Sequence, residues 1–450
     1  MSSVPDSNKS LSPAKKPVAR RSADQAAAVA DPTRRRLLAG GLAAGAGAAV
    51  AALQARPAAA AGDPAITEIQ DWNRYLGDGV DARPYGTPSQ YEEHVVRRNV
   101  PWLTADPVSS VNFTPLHELD GIITPNGLCF ERHHAGIADV DPAQHRLMIA
   151  GLVDKPLVFT MQDILRFPRE NCVYFLECAA NSGMEWRGAQ LNGCQFTHGM
   201  VHCVVYTGVK LRYLLEEAGV KTNGKWLLAE GADASAMTRS IPMEKALDDC
   251  MVAFKMNGEA LRPEQGYPLR LVVPGWEGNM WVKWLRRLEV GDMAWHHREE
   301  TSKYTDLLGN GKARMFSLTM DAKSVITFPS GDMKLPGPGF YNISGLAWTG
   351  RGRVRKVEVS VDGGRSWYPA HIENTPEPMC TVRFSFPWRW DGTPAVLQSR
   401  CTDETGYIQP TREELIAIRG ANGKFGSIYH LNAIQSWAVD SEGGVTNVHA

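Results

Sequence analysis

The chain has 450 residues, of which 43% are hydrophobic and 22% are charged, and its formal net charge at pH 7 is −1. This balance is typical of a globular protein and excludes a largely disordered chain, a collagen-like chain and a polytopic membrane protein. The length predicts two or more domains. Residues 1–61 contain nine basic and three acidic residues, which leaves 39 basic and 46 acidic residues in the remainder. An acidic body argues against nucleic acid as the main partner.

The N-terminal region, residues 1–61, has the pattern of a twin-arginine signal peptide. Arg34, Arg35 and Arg36 precede an apolar run rich in Ala and Gly, Leu37 to Leu53, and small residues follow at 58–61. The apolar run is short for a membrane span of about 20 residues, although an uncleaved N-terminal anchor remains the alternative. We therefore expect export in the folded state to the periplasm, with a mature protein that starts near Gly62 and has no membrane span.

The remainder is expected to have an α+β fold that is mostly β. Residues 62–110 are rich in Pro, Asp and Arg, which predicts an extended N-terminal segment. Residues 111–310 alternate between patterns of short strands and short helices. Residues 311–450 lose almost all helical periodicity, and their evenly spaced alternating runs predict an antiparallel sandwich of immunoglobulin type.

Several local signals are specific enough to predict single elements. Thr160 is placed to cap a helix that ends before Pro168, and Gly219 is placed to close a helix over 211–218. Asn257-Gly258 predicts a hairpin between strands at 251–256 and 259–261. Further strands are predicted at 172–176, 269–273, 284–290, 357–361, 381–386 and 396–401.

The chain contains eight cysteines, all after the signal region. Their even number permits disulfides in an oxidising compartment, although buried free thiols are the simpler expectation. The sequence contains no CxxC or CxxCH, so a c-type haem and a four-cysteine zinc site are not expected in this chain. HExxH, GxSxG and GxxxxGK[ST] are also absent from the sequence, which removes the usual support for a zinc protease, an α/β-hydrolase or a P-loop enzyme.

One cysteine stands out by its position. The short apolar strand predicted at 172–176 leads through Glu177 to Cys178, and the small residues Ala179 and Ala180 follow. This pattern predicts a single thiolate at a strand end, and a soft thiolate selects thiophilic metals. Taken alone, Cys178 fits a buried structural thiol better than a metal ligand. Arg270 and Lys283 are isolated cations within apolar strands, so they lie either at a surface edge or together in a pocket for an anion.

These motifs occur together and in order in the sulfite oxidase family of molybdenum enzymes, which the chain resembles from about residue 110 onward. Phe130-Glu131-Arg132-His133-His134 resembles the family motif F-x-R-N-H, and the run from Phe175 to Asn181 resembles F-x-E-C-x-G-N. The run from Val359 to Trp367 resembles the family's C-terminal dimerisation domain. Within the family, the chain most resembles the molybdenum subunits of sulfane (sulfite) dehydrogenases of the thiosulfate-oxidising Sox system.

The resemblance implies one molybdenum–molybdopterin cofactor per chain, with Cys178 as the protein's metal ligand. Arg132 would also lie near the anionic substrate, and Tyr304 would hydrogen-bond close to the reacting atoms. His133 replaces the usual Asn of the family, and Ala180 replaces a Gly. Gln265 replaces a pterin-binding His of animal members. The residues that the resemblance places around the cofactor are Phe130, Glu131, Arg132, His133, His134, Cys178, Asp233, Gln265, Arg270, Trp281, Val282 and Lys283.

The resemblance also implies an activity and its partners. The expected reaction is the oxidation of sulfane sulfur on a carrier protein, or of sulfite, with electrons passed to a c-type cytochrome subunit, because this chain itself is expected to hold no haem. A homodimer through the C-terminal domain is implied as well. A free sulfite:cytochrome c dehydrogenase is the nearest alternative, followed by a sulfoxide reductase. From other classes, a binding protein without redox function and a thiol enzyme with Cys178 as nucleophile remain possible.

Overall fold

Strands make up most of the secondary structure of this protein. The computed structural model describes residues 89–99, 110–308, 310–420 and 429–449. The predicted signal peptide lies outside these ranges, as does most of the predicted extended segment 62–110. The described ranges contain these strands: β1 Arg98–Asn99, β2 Ser110–Phe113, β3 Arg132–His133, β4 Leu147–Gly151, β5 Leu157–Phe159, β6 Arg169–Glu177, β7 Val201–Lys210, β8 Trp226–Gly231, β9 Thr238–Pro242, β10 Met251–Met256, β11 Glu259–Ala260, β12 Arg270–Val272, β13 Leu285–Gly291, β14 Asp306–Leu307, β15 Ala313–Arg314, β16 Lys323–Phe328, β17 Gly339–Trp348, β18 Val354–Ser360, β19 Tyr368–Pro369, β20 His371–Ile372, β21 Val382–Trp390, β22 Ala395–Asp403, β23 Ser436–Val439 and β24 Val445–Val448.

Helices in the described ranges are short. The α-helices are α1 Met161–Ile164, α2 Cys194–His198, α3 Leu211–Ala218, α4 Met243–Asp248, α5 Arg298–Thr301 and α6 Arg412–Arg419. Single 3₁₀ turns occur at Gln90–Glu92, Leu116–Glu118, Asn126–Leu128, Gly183–Arg187, Pro263–Gln265 and Gly278–Met280. Among the residues the structure describes, no helix has the length and apolar character needed to cross a bilayer.

Two five-stranded sheets form the scaffold of the N-terminal part of the described residues. The first has the strand order β11-β10-β7-β6, with β12 paired to β10, and all its pairs are antiparallel. The second has the order β5-β4-β13-β8-β9 and includes one parallel pair, β4 with β13. A shared apolar core lies between these sheets and helix α3, whose leucines are fully buried. Strands β1, β2 and β3 form a small separate sheet.

The C-terminal part is a sandwich of two antiparallel sheets. One sheet has the order β16-β17-β21-β20 and the other β19-β18-β22-β23-β24. Alternate residues of these strands face inward and fill the core with large side chains such as Trp348, Phe384 and Trp437. The predicted fold class, α+β and mostly β with a C-terminal sandwich, is therefore confirmed.

The sandwich core also receives residues from the first five-stranded sheet. Phe175 of β6 and Val201 and Cys203 of β7 are buried in the same cluster as the sandwich side chains. The backbone N–H of Phe175 donates to the carbonyl of Met379, at 2.9 Å. The end of β6, where Cys178 follows, therefore lies at the junction between the two parts of the molecule.

Most of the local predictions are confirmed. Thr160 caps α1 with a reciprocal capping box, and α3 ends at Gly219 in the left-handed conformation. β10 and β11 form the hairpin around Asn257-Gly258. The expectation that the C-terminal region is almost free of helix missed α6, which Thr411 and Glu414 cap. Here a local capping signal prevails within an otherwise β-rich region.

Candidate active site

The turn that follows β6 presents the thiol of Cys178 at the end of a buried strand. The backbone N–H of Cys178 donates to the carbonyl of Met200, at 3.0 Å, and its carbonyl accepts from the N–H of Asn181, at 2.9 Å. The side-chain oxygen of Asn181 accepts from the N–H of Met200, at 3.0 Å. Ser182 then adopts a left-handed conformation, with φ of 67°. These bonds fix the turn, so the thiol has a defined direction.

The thiol lines a cavity that brings the predicted residues together. Every residue that the sequence places at the metal, the cofactor or the reacting atoms lines this one cavity. They are Phe130, Glu131, Arg132, His133, His134, Cys178, Asp233, Gln265, Arg270, Trp281, Val282, Lys283 and Tyr304. Six further residues complete the wall and were not predicted: Leu176, His202, Met237, Gly278, Asn279 and Trp284.

The segment 130–134 is held against the cavity by buried polar groups of the neighbouring strand. The N–H of Phe130 donates to the hydroxyl of Thr114, at 2.9 Å, and the N–H of Glu131 donates to the side-chain carbonyl of Asn112, at 2.8 Å. The side-chain amide of Gln265 donates to the carbonyl of Phe130, also at 2.9 Å. Backbone and side chains thus fix where Phe130 and its neighbours face the cavity, and Gln265 has a structural role there in addition to any contact with a ligand.

Arg270 and Lys283 lie in the cavity wall, not at a surface edge. Arg270 is buried between the rings of Tyr206 and Trp281, and burial lowers the pKa of its guanidinium. The Lys283 ammonium donates to the carbonyls of Arg132 and Glu264, at 3.0 and 2.9 Å. Burial lowers the pKa of Lys283 to about 7, and the nearby Arg270 acts in the same direction. Cations gathered at this density favour an anionic group between them.

Among the residues that the structure describes, some buried polar atoms of this wall have no hydrogen-bond partner, and two of them lie on strands β7 and β12. These two atoms are Nδ1 of His202 and Nε of Arg270. A buried donor or acceptor without a partner is costly, and such atoms at a cavity wall are what a polar ligand satisfies. Asp233 adds a carboxylate that accepts from the N–H of Met237, at 3.2 Å, and from the hydroxyl of Ser235.

Tyr304 lines the cavity and also contacts a buried network of charged side chains. Its ring packs at a tilt of 39° against Tyr429 with centroids 4.9 Å apart, and the guanidinium of Arg239 lies 5.3 Å from its centroid. Arg239 in turn contacts the buried carboxylates of Glu277 and Glu300, at 3.4 and 3.9 Å. Burial raises the pKa of the Tyr304 phenol. The phenol therefore keeps its proton and can act as a hydrogen-bond donor.

Burial also shifts the pKa of the Cys178 thiol. Burial raises the pKa of Cys178, while the N–H of Ala180 and the charge of Arg132 lower it only in part. A bound metal cation reverses this balance because it stabilises the thiolate directly. In the described part of the chain, no group of three or more His, Cys, Asp or Glu residues is arranged to hold a metal.

A second cavity shares Cys178 and Arg132 with the first. Its wall is mainly apolar and comes from segments far apart in sequence. The apolar residues are Val111, Phe113, Ala180, Met184, Leu191, Phe196 and Met200. Glu185 also lines it, and burial raises the pKa of this carboxyl, which favours its neutral form. No local sequence signal indicated this cavity.

The eight cysteines all carry free thiols, so the disulfides that their even number permits are not formed in this structure. Cys203 and Cys380 approach most closely among the recorded contacts, with sulfur atoms 3.7 Å apart. Most of these thiols are buried, in agreement with the simpler expectation from their apolar surroundings.

Comparison with known proteins supports the assignment of this cavity to a cofactor. Residues 134–298 match the model of the oxidoreductase molybdopterin binding domain, and residues 314–436 match that of the Mo-co oxidoreductase dimerisation domain. The crystal structure of the sulfane dehydrogenase SoxCD from Paracoccus pantotrophus contains a chain that is 58% identical. The match has a TM-score of 0.81 and covers 86% of this chain and 99% of that one.

More distant relatives belong to the same group of enzymes. Mitochondrial sulfite oxidase from Mus musculus is 32% identical over 300 residues, which is 62% of this chain and 54% of that protein. Nitrate reductase [NAD(P)H] from Hordeum vulgare is 30% identical over 302 residues, which is 60% of this chain and 33% of that protein. The matches thus span between a third and about half of the length of these two relatives. The chain belongs to the sulfite oxidase family of molybdopterin oxidoreductases.

Proposed function

We propose that this protein is the molybdenum subunit of a dehydrogenase that oxidises sulfane sulfur bound to a carrier protein and passes the electrons to a c-type cytochrome. The observation that carries this proposal is that Cys178 lines two cavities that differ in their charged residues. One is lined by cations and unpaired polar atoms, and the other is lined by apolar side chains. The first fits an anionic cofactor and the second fits a weakly charged substrate.

The polar cavity has the donor set that molybdopterin requires. Arg270 and Lys283, with the unpartnered nitrogens of Arg270 and His202, would bind the phosphate and the polar edge of the pterin. Gln265, Asp233 and the backbone at 281–283 would complete the contacts, and the thiolate of Cys178 would bind the metal. When bound, the cofactor would supply two-electron oxidation and oxygen transfer to sulfur.

The residues of the chain would then orient the substrate and balance its charge. Arg132 lines both cavities, so its guanidinium can stabilise negative charge that develops on the oxidised sulfur. Tyr304 keeps its phenolic proton because it is buried, and it would donate a hydrogen bond that orients the reacting group. The apolar wall with Phe113, Phe196 and Met200 would exclude water from the path of the sulfur atom.

The substrate class follows from the charge of the second cavity. A free dianion such as sulfite would be expected to meet several cations, whereas the wall offers the guanidinium of Arg132 beside apolar groups and the carboxyl of Glu185. A sulfane sulfur at the end of a carrier's side chain has less charge to desolvate. The second candidate is a free sulfite dehydrogenase, which the presence of Arg132 and the 32% identity to a sulfite oxidase favour.

The partners and the location belong to the same proposal. The protein of 58% identity is described as the sulfane dehydrogenase SoxCD, which supports a cytochrome partner for this chain as well. The match of residues 314–436 to a dimerisation domain supports a homodimer formed through residues 311–450, with the cofactor held by residues 111–310. We propose export to the periplasm through the twin-arginine pattern of residues 1–61.

The experiment compares two sulfur substrates with the purified protein and its cytochrome. Molybdenum is first measured by metal analysis, because a binding protein without redox function would contain none. Cytochrome reduction is then followed with sulfite and with carrier-bound sulfane, with and without added cytochrome. Faster reduction with the carrier supports the proposal, and reduction with sulfite alone supports the second candidate. Full activity after growth without molybdenum would instead indicate a thiol enzyme.

A further inference from the structure

Glu177 directly precedes the proposed metal ligand and belongs to the same motif, yet neither the cofactor nor the substrate accounts for it. Its side chain does not line either cavity. The side chain is instead fully buried and faces the sandwich. A buried carboxylate is expensive unless it is paired and hydrogen-bonded, so its partners indicate what it is for.

The partners of Glu177 come from both parts of the molecule. The ammonium of Lys323 donates to Oε1 at 2.9 Å, and the indole N–H of Trp348 donates to Oε2 at 2.7 Å. The side-chain amide of Asn181, on the far side of the cysteine, also donates to Oε1, at 2.9 Å. Each carboxylate oxygen therefore has at least one donor, and the group is fully satisfied.

Lys323 reaches the cysteine turn in a second way. Its ammonium also donates to the backbone carbonyl of Asn181, at 3.2 Å. Lys323 thus bonds to the residue before Cys178 and to the turn that follows it. Lys323 and Trp348 have relative exposures of 1% and 0%, so solvent does not weaken these bonds.

The two residues that donate to Glu177 occupy paired positions on neighbouring strands of the sandwich. Lys323 is the first residue of β16 and Trp348 is the last of β17, and the two are direct partners in the antiparallel register. Side chains of directly opposed residues lie on the same face of a sheet. The strand pair therefore presents one ammonium and one indole N–H to Glu177 at a fixed spacing.

We propose that Lys323 and Trp348 are positioning residues for the metal-binding thiolate. They hold Glu177, and through it the turn at Cys178, in the orientation that the metal requires. The positive charge of Lys323 also cancels the negative charge of Glu177, which would otherwise stand unbalanced beside the thiolate. This inference rests on the proposed function, because it takes Cys178 to be the metal ligand.

We call Lys323 and Trp348 the clamp. The test uses two variants of the clamp and one matched control variant, all in the holoenzyme. Lys323→Met removes the ammonium, and Trp348→Phe removes the indole N–H but leaves both charges in place. Trp437→Phe is the control, because its buried indole also donates to a sandwich backbone carbonyl, that of Ile326 at 3.1 Å. Trp437 has no recorded contact with Glu177. The measurements are molybdenum content, the Mo(V) electron paramagnetic resonance spectrum after chemical reduction, and turnover per molybdenum.

We expect altered Mo(V) spectra and roughly tenfold or greater loss of turnover per molybdenum for Lys323→Met, with a smaller change for Trp348→Phe. Trp437→Phe should lower the melting temperature but leave the spectrum unchanged. If the Lys323 variant fails to fold, the Trp348 and Trp437 pair decides the question. Unchanged spectra in the Lys323 and Trp348 variants, or equal changes in the Trp437 control, would overturn the positioning role and leave the proposed function intact. A wild-type protein without molybdenum overturns the proposed function and this inference with it.

Discussion

The substitution Gly278→Ala tests how closely the turn at Cys178 is packed. Gly278 lines the cavity that holds Arg270 and Lys283, and a Cβ added at this position would lie 2.8 Å from the carbonyl oxygen of Glu177. The same Cβ would lie 3.2 Å from the side chain of Leu176. Ordinary contact begins at 3.4 Å, so one of the two backbones must move by several tenths of an ångström. The carbonyl belongs to the residue bonded to Cys178, so the displacement reaches the thiol.

We expect Gly278→Ala to fold with a loss of about 1–3 kcal/mol in the free energy of unfolding, the usual cost of overpacking. Turnover per molybdenum should fall by about 10- to 100-fold, because small displacements of reacting groups are costly. The control is Gly339→Ala in β17, where the nearest atoms to the added Cβ are 3.9 and 4.0 Å away. This control should gain about 0.5–1 kcal/mol and keep its turnover.

The assays are thermal or urea unfolding for stability, metal analysis for molybdenum, and steady-state cytochrome reduction for turnover. Turnover of the wild-type level in Gly278→Ala, with full molybdenum content, would show that the turn tolerates displacement and would refute the reasoning. A comparable loss in Gly339→Ala would also refute it, because that position has room for a methyl group.

Three other changes have defined outcomes. Cys178→Ser should fold, as judged by circular dichroism, but contain no molybdenum; a molybdenum-loaded variant would contradict the role of the thiolate. The cofactor-free protein should bind sulfate, whose charge does not change in this range, more tightly as the pH falls through about 7, because Lys283 gains its charge below that pKa and is neutral above it. Calorimetry at pH 6 and 8 should show this difference, and Lys283→Gln should lose it; equal affinities at both pH values in the wild type would argue against it. Leu191→Arg adds a cation to the apolar cavity and should lower the KM for sulfite by about tenfold, or about 1.4 kcal/mol, while slowing oxidation of the carrier-bound substrate. An unchanged preference would place the substrate path elsewhere.

Local signals in the sequence predicted the turns and helix ends that a few adjacent residues determine. The Asn257-Gly258 hairpin and the end of α3 at Gly219 depend on a few adjacent residues, and the structure contains both. Helix α6 has an equally local signal in Thr411 and Glu414, but the β-rich pattern around it concealed that signal. Strand ends shifted by one to several residues, because hydrogen bonding to neighbouring strands sets them.

The site was predictable where residues of one motif lie side by side in the sequence. The run from Phe130 to His134 and the run from Trp281 to Lys283 both face the cavity. His202 contributes to the same wall as the second residue of β7 and has no such neighbours, so only the packing of β7 against the cavity reveals it. The burial of Arg270 could not be foreseen either, because an isolated cation in an apolar strand is compatible with both an edge and a pocket.

The contacts of Lys323 and Trp348 with Glu177 can form only after a long further stretch of the chain has been synthesised. Lys323 lies 146 residues after Glu177 and Trp348 lies 171 residues after it. Ribosomes add about 5–20 residues per second, so the turn at Cys178 waits roughly ten seconds or more for its second half. A cofactor inserted before that time would meet a ligand that is not yet oriented. If Lys323 and Trp348 position the thiolate as proposed, cofactor insertion therefore has to follow synthesis and pairing of β16 and β17, well after the N-terminal sheets have been made.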